Sequence, residues 1–117
     1  MRRVIGFILT LPLALVLAAV PVLAAVPRVA LVIGNAAYQS SPLNNPVNDA
    51  RAISAKLKKL GFEVIEKENL TTKQIGSTLT EFRSRLQPGT EALFFYAGHG
   101  LQVKGINYLP AVDAAIS

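Results

Sequence analysis

Apolar runs and amphipathic stretches alternate along this chain in a regular order. Arg28-Val-Ala-Leu-Val-Ile33 is a continuous aliphatic run ending at Gly34. A strand covered on both faces reads this way, because no position along it needs to meet water. A polar loop rich in Ser, Asn and Pro follows over Asn35–Asn45. Asn45-Pro46 then offers an N-cap with proline at the first helical position. Ala50, Ile53, Leu57 and Leu60 recur at helical spacing until Gly61, the expected C′ residue. Phe62–Lys67 reads as a second strand. Thr71-Thr-Lys-Gln74 matches a capping box, opening a helix whose apolar face is Ile75, Leu79, Phe82 and Leu86. Pro88-Gly89 breaks it. Glu91–Ala97 is a third strand, and Leu101–Leu109 a short hairpin with Gly105 near its turn.

The order β-α-β-α-β with tight connections predicts an α/β fold, a three-layer sandwich around a parallel sheet with right-handed crossovers. In such sheets ligands and catalytic groups gather beyond the carboxyl ends of the strands. Gly34-Asn35 and Gly98-His99-Gly100 both fall on that edge.

The N-terminus belongs to a different pattern. Arg2 and Arg3 precede Val4–Val26, which carries no charge, and Val22-Leu23-Ala24 suits a small-residue cleavage site. Residues 1–24 therefore read as an export signal, with the mature protein periplasmic or secreted. The alternative is a membrane anchor over residues 4–26, since about 20 apolar residues span a bilayer. Pro12 and Pro21 favour cleavage. The remaining domain, residues 28–117, is short for an α/β fold, and small domains bury a smaller share of their surface.

Composition adds exclusions. Of the 117 residues 51% are hydrophobic and mean hydropathy is +0.40, part of which belongs to the leader. Loss of Arg2 and Arg3 with the signal lowers the formal charge of +5 to +3. The basic residues left are scattered, with Lys56, Lys58 and Lys59 on an expected solvated helix face, so no nucleic-acid partner is expected. The 117 residues contain no cysteine, which excludes disulfides, thiolate metal sites and a cysteine nucleophile within them. Gly98-x-Gly100 is followed by Val103 where a dinucleotide fingerprint needs its third glycine. Neither a G-x-S-x-G elbow nor a phosphate-binding G-x-x-x-x-G-K-[ST] occurs. A lone histidine cannot form a two-histidine zinc motif, and no metal or other cofactor is expected. Asn69-Leu-Thr71 matches a glycosylation acceptor, a common pattern, and Thr71 already has a capping role.

What remains is a combination. Val-Ala-Leu-Val-Ile-Gly-Asn at 29–35, Leu-Asn-Asn-Pro-Val-Asn-Asp-Ala at 43–50, Leu-Gly-Phe-Glu-Val at 60–64 and Phe-Phe-Tyr-Ala-Gly-His-Gly at 94–100 resemble the caspase-like cysteine peptidases of family C14, in particular their bacterial and metacaspase-type members. The resemblance runs from Arg28 to Asp113. It implies cysteine endopeptidase activity, with His99 as the base of a His-Cys dyad and Gly100 lending a backbone N–H to the oxyanion hole. Such a base takes the thiol proton and later returns it to the leaving amine. An oxyanion donor of this kind is worth about 10²–10³ in rate.

The resemblance also places Asp49 in the first specificity pocket, receiving a basic substrate side chain. The loop before it, Pro42-Leu-Asn-Asn45, holds no arginine of the kind that binds substrate aspartate in true caspases. Plainer readings stand beside these. His99 could be a strand-end histidine bonded to a loop carbonyl, and Asp49 a helix-start carboxylate favoured by the macrodipole. In the family the nucleophilic cysteine follows a fourth strand, and Ser117 comes before any such element. The expected domain is thus a partial caspase-like one, truncated after the third strand and hairpin, and inactive as this chain. The alternative is a non-catalytic caspase-fold module that binds peptides or proteins, or a gene fragment. The 2-1-3 strand order implied by the family leaves the third strand as an open edge, from which self-association is expected. A membrane partner is expected only if the N-terminal segment stays uncleaved. The hairpin Lys104-Gly-Ile-Asn107 lacks the acid clusters associated with calcium.

Overall fold

The computed structural model describes residues 26–115; the expected leader at 1–24 lies outside them. Strand β1 (Arg28–Gly34) is central, with β2 (Glu63–Glu68) on one side and β3 (Glu91–Ala97) on the other, both parallel to it. The order β2-β1-β3 agrees with the expected topology. Helices α1 (Pro46–Lys59) and α2 (Thr72–Ser84) form the crossovers. Strands β4 (Leu101–Val103) and β5 (Ile106–Tyr108) pair antiparallel as the expected hairpin.

Alternation along β1 sorts the core into two layers. Ala30 and Val32 pack with Ala50 and Leu57 of α1, while Val29, Leu31 and Ile33 pack with Ile65, Leu70 and the inner face of α2. Successive strand side chains point to opposite faces, so a strand between two helical layers must be apolar at every position. Gly34 ends β1 where a Cβ would lie 2.5 Å from the Pro46 carbonyl oxygen. That close approach brings the start of α1 to the carboxyl edge of the sheet.

Helix α1 stops as expected. Gly61 takes φ +87°, its N–H bonds the Lys58 carbonyl, and the Phe62 N–H bonds the Leu57 carbonyl, a Schellman motif. This draws Phe62 into the cap, so β2 begins one residue later than expected. Three other expectations need correction. Asn45 caps nothing with its side chain: its backbone is already helical, and its carbonyl accepts the Asp49 N–H at 2.9 Å. Leu60 is 60% exposed because it sits at the C-cap, where the chain has left the helical path. Leu79 is exposed because α2 lies over the β1–β2 side, leaving an apolar cavity of about 150 Å³ between it and Phe94, Tyr96 and Leu109. At the other end of α2, Gln74 Oε1 accepts the Thr71 N–H at 3.0 Å, the reach-back half of the capping box.

No helix among the described residues is long and apolar enough to cross a membrane.

Candidate active site

Three loops meet beyond the carboxyl ends of β1 and β3. The first leaves β1 at Asn35, whose buried side chain joins the other two. Its Oδ1 accepts the Leu70 N–H at 2.9 Å and its Nδ2 reaches the Pro110 carbonyl at 3.4 Å. Asn69 fastens the same loop, its Oδ1 accepting the N–H groups of Ala36 and Ala37 at 2.9 and 3.0 Å. Asn69 holds φ +53°, a left-handed conformation that asparagine tolerates better than most residues. The segment Pro110–Asp113 closes the end of the sheet. The Val112 N–H donates to the Leu70 carbonyl at 2.9 Å, and the Asp113 carboxylate accepts both the N–H and the hydroxyl of Thr72 at 2.9 Å. Those two bonds hold the Asp113 carboxyl below its ordinary pKa.

His99 stands at the mouth of this arrangement, two residues past β3. Its Nε2 lies 2.7 Å from the Ser41 carbonyl oxygen. A carbonyl only accepts, so Nε2 carries the proton, and in the neutral ring Nδ1 is left as the acceptor. The strand-end bond to a loop carbonyl is therefore present, and it leaves one ring nitrogen able to accept a proton. The Tyr38 ring meets the imidazole edge to face, centroids 4.5 Å apart at 61°.

Gly100, the next residue, is exposed, and a Cβ there would meet nothing within 4 Å. Packing within this chain does not demand glycine at 100. Gly98 is the opposite case: a Cβ would lie 2.5 Å from the Tyr96 hydroxyl and 2.8 Å from that of Tyr38. Asp49 is exposed in the first turn of α1, at the same carboxyl edge. The fold thus brings His99, Gly100 and the start of α1 to one edge, with the Ser41 loop between β1 and α1. Among the described residues no group of three or more His, Cys, Asp or Glu side chains could hold a metal ion.

Asn35 was expected on this edge from its place after β1, but the loop-fastening roles of Tyr38, Tyr96 and Asn69 were not read from the sequence. For Tyr38 one signal was present: a large aromatic in a loop otherwise made of Ser, Asn, Ala, Leu, Gln and Pro calls for a buried partner, and it is 2% exposed.

The geometry can be set beside known proteins. The human "Mucosa-associated lymphoid tissue lymphoma translocation protein 1" is 35% identical over 88 residues, 74% of this chain and 11% of the human protein. Its mouse homolog matches with the same identity and coverage. The chain thus spans about a tenth of the length of these curated relatives. The family model for the caspase domain, peptidase C14, matches residues 27–117, and with it the β2-β1-β3 sheet and the His99 loop. The chain belongs to the caspase-domain family.

Proposed function

We propose that this chain carries the histidine half of a caspase-like endopeptidase site. His99 serves as general base through Nδ1, the Gly100 N–H faces the oxyanion, and Asp49 receives a basic substrate side chain. The observation that carries the reading is the 2.7 Å contact between His99 Nε2 and the Ser41 carbonyl, which leaves Nδ1 to accept a proton. A base needs a nucleophile to activate, and these 117 residues hold no cysteine. The chain alone is accordingly inactive towards peptides ending in lysine or arginine. Amide turnover that disappears in His99→Ala would overturn this and require another nucleophile.

Binding is separable from turnover. An arginine-ended peptide should shift the NMR signals of Asp49 and His99, whereas an aspartate-ended peptide should not. Asp49→Ala should abolish the difference. The second reading, a non-catalytic module that binds peptide or protein partners, is favoured by the apolar cavity lined by Leu79, Phe94 and Leu109. Shifts clustering there rather than at Asp49 and His99 would support it. Export directed by Arg2, Arg3 and residues 4–26 forms part of the proposal, and N-terminal sequencing should find a start near Ala25 or Val26. Met1 retained in a membrane fraction would indicate an anchor.

A further inference from the structure

We propose that Tyr38 and Tyr96 form a paired-hydroxyl clamp on the backbone of His99 and so act as positioning residues for its imidazole. The inference rests on the reading of His99 as a base, and deepens it by naming what holds that base in place.

The clamp closes on both polar groups of His99. Its N–H lies 3.2 Å from the Tyr38 hydroxyl, its carbonyl oxygen accepts the Tyr96 hydroxyl at 2.7 Å, and the two hydroxyls are 2.8 Å apart. Each phenol has a single proton. One consistent assignment closes a ring in which the His99 N–H donates to Tyr38, Tyr38 to Tyr96, and Tyr96 to the His99 carbonyl. Such a ring runs in one direction, so each bond polarises the next. The Pro110 carbonyl, 3.0 Å from Tyr38 and 3.3 Å from Tyr96, is the alternative acceptor that ties the pair to the closing segment. Burial and the Tyr38 bond push the Tyr96 phenol well above its ordinary range.

Two further observations bear on positioning. The loop that delivers Tyr38 to the His99 backbone also delivers the Ser41 carbonyl to Nε2, so backbone and ring are gripped from one side. A Cβ at position 98 would clash with these same two hydroxyls, which explains the first glycine of Gly98-His99-Gly100. Tyrosine to phenylalanine keeps the ring and removes only the proton chain, leaving a half-buried His99 N–H or C=O without its partner.

The test uses the lone histidine as its own reporter in the isotopically labelled full chain. In the wild type the two ring nitrogens should have widely separated shifts, with Nε2 protonated, and the His99 amide should exchange slowly. Tyr38→Phe and Tyr96→Phe should each draw the nitrogen shifts together as tautomers mix, and speed His99 amide exchange about tenfold. Tyr108→Phe should change neither. Folded Tyr38→Phe and Tyr96→Phe proteins with wild-type ring shifts and exchange would overturn the clamp. Should the variants fail to fold, the wild type still decides: a His99 amide exchanging as fast as an unstructured one would overturn the clamp, and a protected one supports it. None of these readouts needs turnover. If His99 is not a base, the clamp signals persist while the arginine-ended peptide leaves His99 unshifted.

Discussion

Strands β1 and β3 are almost equally apolar and live in different surroundings. From Val29 to Ile33 no residue of β1 is more than 8% exposed, whereas Phe94 in the middle of β3 is 50% exposed. β1 has a hydrogen-bonded neighbour on each edge and a helix on each face; among the described residues β3 has one neighbour, and the α2 side of it opens onto the cavity with Leu79 and Leu109. The contrast shows that an apolar run states what a strand requires, not what these residues supply. β3 asks for a second edge and a second layer that the described residues do not include.

The largest expected effect lies on β1. Leu31→Ala should cost about 3 kcal/mol by leaving a cavity that two packed layers cannot close. Phe94→Ala should cost under about 1 kcal/mol, since its ring is already half in water. Urea unfolding of both variants measures the gap, and equal losses would erase the contrast. Self-association through β3 comes next. Phe94→Lys places a charge on the open strand, where charged side chains discourage pairing. It should weaken self-association about tenfold, or 1.4 kcal/mol, by analytical ultracentrifugation. A wild type that stays monomeric at every concentration would remove the premise.

A smaller effect sharpens the comparison from inside the well-covered half. Ser54 of α1 is 2% exposed, and its hydroxyl has no hydrogen-bond partner among the described residues. Ser54→Ala should therefore stabilise by about 1 kcal/mol, seen as a higher midpoint in the same urea series. The smallest effect is a pH dependence at Asp113. Its folded pKa lies below the ordinary 3.8, so its contribution is complete above that value and fades as pH falls through the folded pKa. Melting temperatures of wild type and Asp113→Asn should differ at pH 6 and converge towards about pH 2. A constant difference would point to loss of shape rather than of charge.

Most of the frame was legible because it depends on neighbours along the chain. The aliphatic run at 28–33, the stop at Gly61 and the Gln74 reach-back are settled within a few residues, and each is found where expected. Asn45 misled because a capping residue type says nothing of backbone angles, and those were already helical. Leu79 misled because its helical spacing is right while the layer it faces is not filled. At the candidate site, Gly98-His99-Gly100 stood out by composition and position. The partners around it were not legible for a different reason: Tyr38 meets His99 across 61 residues and Pro110 across 72, and Asn35 meets Leu70 across 35. No local pattern encodes such partners.

The Pro110 carbonyl gives the molecule an order of assembly. Tyr38, Tyr96 and Asn35 all reach it, so one acceptor near the end of the described chain gathers groups from the first loop and from β3. Synthesis runs from the N-terminus, and contacts between distant residues wait for the later partner to emerge. Strands β1 and β2, with α1 between them, can pair with each other once residue 68 has been made, and β3 can join β1 once residue 97 has. Pro110 comes later still. The surroundings of His99 cannot be completed until more than forty residues after the first pairing. A nascent chain should thus have a sheet well before it has a site, and ribosomes stalled on either side of Pro110 would catch the two stages apart.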